Sequence, residues 1–147
     1  MSLLSKLFQK LKPSLTKSDG SPKTSGEIIS ELTGGTNLVD GKQTWEYAED
    51  KKHDIEIMKR CCEAELETME KAGIVPAPYY FERVAILSRK EKNYVQEIEY
   101  CELYINKVNE FYRVNNSEKM ADVRKGRTYN AIVNRLPKAK QLMKKAK

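Results

Sequence analysis

The side chains that could do chemistry in this chain are one histidine, three cysteines and a cluster of glutamates. His53, Cys61, Cys62 and Cys101 are of the types that bind zinc. Neighbouring cysteines on a helix point about 100° apart, and the chain has no Cys-x-x-Cys pair that would aim two thiolates at one ion. We therefore predict no metal site, and we expect the cysteines to act as small buried apolar groups.

Other combinations of reactive residues are also incomplete. A single histidine cannot build a paired-histidine motif, and the Glu-x-x-His ligands of a diiron site are missing. We expect the glutamates to form a solvated helix face; they are Glu63, Glu65, Glu67 and Glu70. The glycine pair in "TGGT" lacks the Gly-Lys-Ser/Thr that completes a phosphate loop. The sequence therefore predicts a protein that is not an enzyme and has no cofactor.

The net charge of +6 is divided unevenly along the 147 residues. Residues 1–24 hold five basic and one acidic side chain, residues 25–112 hold eleven and eighteen, and residues 113–147 hold eleven and two. The ends are basic and the middle is acidic. Such a division fits an arm for nucleic acid or a membrane surface, and it equally fits a basic helix that lies against an acidic body.

Cysteine usage and hydropathy indicate the compartment. Three cysteines, two of them adjacent, make a poor disulfide framework, which favours a reducing environment. No run of roughly 18 apolar residues is present, and the start lacks the pattern of a secretory signal. We predict a cytoplasmic protein.

Hydrophobic periodicity defines the elements that must position these residues. Residues 1–12 predict a short basic amphipathic helix. This helix could be a weak anchor on an anionic membrane, a docking peptide for a partner, or a helix folded back on its own domain. Residues 13–25 are rich in Ser, Thr, Gly, Pro and Lys and predict a flexible linker. Residues 26–147 predict a single helical domain.

That domain is predicted to be all-α, an antiparallel bundle of about four main helices. The helices are expected at 46–72, 78–90, 94–112, 117–135 and 137–145. The last two ranges are one helix that Pro137 should divide, with an N-cap at Asn116 or Ser117. Gly73 is placed to end the first helix in a left-handed cap. We expect Trp45, the only tryptophan, to insert into the core from an ordered loop.

The segment "FERVAILSRKEKNYVQEIEYCELYI" resembles a tetratricopeptide repeat over residues 78–111. The matching positions are Phe81, Val84, Ala85, Tyr94, Ile98, Glu99 and Tyr100. The segment departs from the repeat at Ser88, Lys92 and Glu97, where Tyr, Gly and Ala are usual. The resemblance implies a helical hairpin that stacks on neighbouring helices and binds a protein segment without catalysis. One repeat leaves an unfinished end, so self-association is a further expectation.

In such repeats the first helix of each pair lines the binding surface. The resemblance thus implies a partner-binding face made of Tyr79, Arg83, Ile86, Arg89 and Lys90. Arginines and lysines on this face suit a protein partner with acidic groups. The alternative is that Arg83 and Lys90 only solvate the surface or pair with Glu82 and Glu97.

The basic C-terminal region supports a second prediction, which is binding of nucleic acid. Its cations could contact a phosphate backbone in a salt-dependent way. These residues are Arg124, Lys125, Arg127, Arg135, Lys138 and Lys140. No recognisable nucleic-acid motif accompanies them, and the acidic middle would repel the same ligand, so a protein partner remains the preferred prediction.

Overall fold

The computed structural model describes residues 14–115 and 121–146 of the protein. These residues are mostly helical with one small two-stranded sheet, which confirms the predicted all-α class. Their α-helices are α1 Ser25–Thr33, α2 Ile55–Ala72, α3 Pro78–Lys90, α4 Tyr94–Val114 and α5 Arg127–Lys145. The amphipathic helix predicted at 1–12 and the predicted N-cap at Asn116 or Ser117 lie outside the described residues.

Helix α1 begins at a reciprocal cap. The Thr24 hydroxyl accepts a hydrogen bond from the Glu27 backbone N–H at 3.2 Å, and the Glu27 carboxylate accepts one from the Thr24 N–H at 3.3 Å. Before it, a turn is closed by the Lys23 N–H, which donates to the Leu15 carbonyl at 3.0 Å. The predicted linker thus contains a hydrogen-bonded turn, and its flexibility stays a prediction.

A short hairpin follows α1. Strands β1 Leu38–Val39 and β2 Lys42–Gln43 pair antiparallel. Asp40 and Gly41 connect them with positive φ angles of 49° and 77°, as the favoured two-residue turn requires. The hairpin leads into a 3₁₀-helix at Thr44–Tyr47 and a run of turns that ends at Asp54.

One sequence prediction is wrong at residues 44–54, which we call the roof segment. The helix expected at 46–72 begins only at Ile55. The reason is local, because "AEDKKHD" at 48–54 carries almost no apolar residue that could hold a helix against the core. The Asp54 side chain instead accepts a hydrogen bond from the Ile57 N–H at 3.1 Å and caps α2.

The hairpin of α3 and α4 forms as predicted. Gly73 ends α2 at a φ of 66°, and α3 starts at Pro78 in the position that proline favours. Lys92 occupies the left-handed region in the tight turn, with a φ of 60°. The Asn93 side chain accepts from the Gln96 N–H at 3.1 Å and so caps α4.

The core surrounds α3, which packs against α2, α4 and α5. Phe81 from α3 and Tyr104 from α4 are fully buried, with ring centroids 4.8 Å apart. The Tyr104 hydroxyl donates to the Pro76 carbonyl at 2.8 Å, so this buried phenol has a partner. Ile132 completes the core from α5.

The predicted division of the C-terminal helix is wrong. Helix α5 continues through Pro137 from Arg127 to Lys145, and a 3₁₀-helix at Val123–Lys125 precedes it. Ile132 and Ala139, on either side of the proline, are both completely buried. Packing at both points stabilises the helix enough to offset the hydrogen bond that proline removes.

Candidate interaction surfaces

Two residues of the predicted partner-binding face lie under the roof segment. The Tyr79 hydroxyl donates to the Ala48 carbonyl. The Arg83 Nε donates to the Lys52 carbonyl at 2.9 Å, and its Nη2 lies 3.3 Å from His53 Nδ1. The roof segment therefore covers the first half of this face, and both side chains are half-buried.

Arg89 is used inside the fold as well. Its guanidinium contacts both carboxylate oxygens of Glu97, with Nε at 3.0 Å from Oε1 and Nη2 at 2.8 Å from Oε2. Arg135 from α5 donates to the same Oε2 from Nε at 2.9 Å. Glu97 has no exposed surface, so this carboxylate joins three helices through charge-assisted hydrogen bonds.

The rest of the predicted α3 face stays open to solvent to different degrees. Lys90 is exposed at the end of the helix, and Ile86 is half-buried. Tyr79, Arg83 and Arg89 are thus bound within the fold. The Lys90 side chain forms no hydrogen bond or ion pair with a described residue, and Ile86 has no polar group to pair.

Trp45 lies on the surface, not in the core where the sequence predicted it. Its side chain is 66 % exposed, and the indole Nε1–H donates to Gln43 Oε1 at 2.9 Å. The Gln43 amide in turn rests on α1, since a Cβ atom built on Gly26 would lie 2.4 Å from Gln43 Nε2. Trp45 is thus an outward-facing indole held by a hydrogen bond to a packed side chain.

The reason for this exposure is visible in the neighbouring residues. Tyr47 and Ala48 face the core from the same segment, and the Tyr47 hydroxyl donates to the Val39 carbonyl at 2.8 Å. Thr44 is tied to α2 through Glu65 Oε1 at 2.8 Å. Because Thr44 and Tyr47 take the inward positions of a tight 3₁₀ turn, Trp45 is left pointing outward.

Glu65 lies on the inner side of the roof segment and forms no ion pair with a described cation. Its Oε2 accepts from the Ala77 N–H at 3.0 Å, and its Oε1 accepts from the Thr44 hydroxyl. Removal from water raises the pKa of this carboxyl, and the two hydrogen bonds oppose part of that rise. Glu65 therefore fastens the roof segment and the α2–α3 loop to α2.

The three cysteines are buried and unpaired. Loss of hydration raises the pKa of Cys61 to about 12 and that of Cys101 to about 12, and it raises the pKa of Cys62 further. A neutral thiol is a poor nucleophile and a poor metal ligand. Over residues 14–115 and 121–146, no cluster of His, Cys, Asp or Glu is arranged to hold a metal ion.

The cations of the C-terminal region fall into two groups. Arg124 contacts Asp122 at 2.8 Å and lies 4.6 Å from the Tyr112 ring centroid, and Arg135 contacts Glu97. Lys140 pairs with Glu102 at 3.6 Å on the surface. The others, Lys125, Arg127 and Lys138, are exposed and form no ion pair with any described residue.

We compared the chain with known proteins. No family model, curated protein or solved structure matches it. The tetratricopeptide resemblance therefore stays a prediction. In the described part of the chain, none of the helices combines the length and hydropathy that crossing a bilayer requires.

Two residues, Trp45 and Glu97, lie in surroundings that the sequence did not predict. Trp45 was expected to be buried, since its size and hydropathy favour the core. The polar run after it, "EDKKHD" at 49–54, was the signal that this segment lies flat on the surface. Glu97 stood out as an unusual residue for its repeat position, and nothing in the sequence alone indicated that both Arg89 and Arg135 would reach it.

Proposed function

We propose that this chain is a non-catalytic interaction module that binds a protein partner through Trp45. The observation that carries the proposal is the indole itself, which is 66 % exposed and fixed by Gln43. Tryptophan is among the residues that most often dominate binding energy at protein interfaces. A fixed ring also loses little conformational freedom on binding, so more of its burial appears as affinity.

The chemistry of the interior supports a binding role in place of catalysis. The buried thiols are held neutral. The single histidine, His53 of the roof segment, is in contact with Arg83 of α3. The carboxylate of Glu97 is neutralised by two arginines. These groups hold helices together, which is what a rigid binding scaffold needs.

In this proposal the α3–α4 hairpin is the scaffold, and the roof segment presents the binding residue. The predicted α3 face contributes through its open end, where Lys90 is exposed and Ile86 is half-buried. Trp45 and Lys90 lie at different places on the molecule, because the roof segment meets α3 at Tyr79 and Arg83 between them. Their contributions can therefore be measured separately.

Site-specific photocrosslinking tests the proposal. A benzoylphenylalanine replaces Glu46, which is exposed beside the intact Trp45, or Lys90 or Val114 in the full chain, expressed in its source cells, and adducts are identified by mass spectrometry. Val114 is the control, since it is 66 % exposed, as Trp45 is. We expect one discrete protein adduct from position 46 that position 114 does not give.

A substitution then checks that the adduct reports binding. Trp45→Ala should weaken capture of the identified protein at least about tenfold, as expected for a hot-spot residue. Val114→Ala should leave capture unchanged, and both variants should keep the helical circular-dichroism signal. An adduct from position 90 but not 46 would move the site to the α3 face, and no discrete adduct from either would refute the module.

A further inference from the structure

Helix α5 has an outer face on which only cationic and amide side chains lie. At 100° per residue, six positions fall within an arc of about 80° that lies opposite the buried Ile132 and Ala139. They are Arg127, Asn130, Asn134, Lys138, Gln141 and Lys145, and all six are exposed. We call them the α5 outer face.

Folding distinguishes this face from three other cations of the region. Arg124, Arg135 and Lys140 contact Asp122, Glu97 and Glu102. Arg127, Lys138 and Lys145 form no ion pair with the rest of the described chain. No acidic residue occurs in the sequence of α5, so every charged side chain on its outer face is positive.

From this arrangement we infer that the α5 outer face binds the phosphate backbone of a nucleic acid. The face runs about 27 Å at 1.5 Å per residue, which is long enough to meet several phosphates. Its cations neutralise phosphate charge, and its amides can donate to phosphate or base-edge oxygens. The Asn130 Nδ2 already donates to the Gly126 carbonyl at 2.7 Å, which leaves Asn134 and Gln141 as the available amides.

The composition of the face favours nucleic acid over the other anionic partners. A membrane-surface helix needs apolar side chains that enter the lipid, and the arc has none. A protein interface needs an apolar or aromatic centre, which is also missing here. Binding that rests on cations and amides alone is the sequence-independent kind that polyanionic backbones support.

The test is a titration of the full chain against a fluorescein-labelled DNA duplex and a single-stranded RNA of the same length, read by anisotropy. Three phosphate contacts predict that affinity for duplex falls roughly 40-fold between about 50 and 200 mM salt. Replacing Arg127, Lys138 and Lys145 together with Gln should abolish most of that salt dependence. A control that neutralises Lys42, Lys51 and Arg113 removes the same charge from exposed positions elsewhere.

A gain-of-function variant completes the design. Asn134→Lys adds a cation at the centre of the outer face, and we expect it to tighten binding and steepen the salt slope by about 0.9 for duplex. Equal loss of affinity in the outer-face and control variants would overturn the proposal, because only net charge would matter. The absence of binding to either nucleic acid at low salt would also overturn it. So would binding to anionic vesicles without binding to nucleic acid. Because Trp45 lies outside this face, neither result bears on the protein-interaction proposal.

Discussion

Glu97 is a carboxylate without exposed surface that touches cations from two other helices. Arg89 and Arg135 each donate to it, at distances between 2.8 and 3.0 Å. An ion pair of this kind adds little net stability over an apolar contact, but losing one partner leaves the others without compensation. Glu97 thus forms a polar link between α3, α4 and α5.

Glu97→Gln should therefore lower the free energy of unfolding by about 3 kcal/mol, because two partly buried guanidinium groups lose their counter-charge. Urea denaturation followed by circular dichroism measures this. Glu99→Gln is the matched control on the exposed side of α4, and it should change the free energy by less than about 0.5 kcal/mol. Equal effects of the two substitutions would contradict the structural role of Glu97.

Glu65 predicts a pH dependence with a definite sign. Burial raises its pKa in the folded chain above the ordinary value of 4.5, so the unfolded chain ionises first as the pH rises. The folded state then loses stability relative to the unfolded state until the raised pKa is passed. The Glu65→Gln variant has no carboxyl to ionise at this position, so it lacks this loss of stability.

We expect the free energy of unfolding of the wild type, relative to Glu65→Gln, to decrease as the pH rises above the ordinary carboxyl pKa of 4.5 and to level off once the raised pKa of the folded chain is passed. Urea denaturation of both proteins over this range gives the difference. A difference that is constant with pH would show that folding leaves the pKa of Glu65 unshifted, which would contradict its burial in the fold.

At the scale of single elements, two positions hold residues that their backbone environment disfavours. Pro137 lies inside α5, and Lys92 has a φ of 60° in the α3–α4 turn. Both are tolerated because neighbouring residues are fixed by packing or by a cap. Asn93, the residue after Lys92, supplies that cap to α4.

Pro137→Ala should raise the free energy of unfolding by about 1 to 3 kcal/mol, since alanine restores a backbone donor and removes the ring from the preceding turn. The proline is exposed, so no core contact is lost. Asn134→Ala, on the same helix, should change stability by only a few tenths of a kcal/mol. No gain at position 137 would indicate that α5 bends there in a way that the proline itself stabilises.

Lys92→Gly should also stabilise the chain, by about 1 kcal/mol, because glycine adopts a positive φ without steric cost. Asn93→Ala is the informative companion, since removal of the cap should destabilise by about 1 kcal/mol. Thermal melts of the two variants should shift in opposite directions. If both lower the melting temperature, the turn has a conformation other than the left-handed one.

At the scale of the whole molecule, charge is segregated. The acidic stretch 25–112 folds into α1, the β-hairpin, the roof segment, α2, α3 and most of α4, and α5 adds a basic side with its outer face turned to solvent. Residues 1–12 supply a further basic segment. The membrane and folded-back interpretations of that segment make different predictions, which a deletion separates.

If residues 1–12 anchor the chain to anionic lipid, the full chain should cosediment with anionic vesicles and the deletion variant should not. The melting temperature should then be the same with and without the segment. A helix that folds back on the domain predicts the opposite pair, a lowered melting temperature and no vesicle binding. Uncharged vesicles are the control for both proteins.

How much of the molecule was predictable depends on the range of the interactions involved. The left-handed cap at Gly73, the start of α3 at Pro78 and the turn at Lys90 to Asn93 follow from neighbouring residues, and all were predicted within a residue or two. The extent of α2 was overestimated because a polar run was read as helical. The continuity of α5 through Pro137 was missed because it depends on the burial of Ile132 and Ala139 against other helices.

The sequence by itself determined the helical class, the α3–α4 hairpin and the neutral buried state of the cysteines, since these follow from local periodicity and hydropathy. The tertiary structure alone decided which polar groups remain available. Arg83, Arg89 and Arg135 are bound to groups distant in sequence, while Trp45, Arg127 and Lys138 face solvent. Whether a polar side chain is bound or free depends on which chain segments meet in three dimensions, and this cannot be read from the type of side chain.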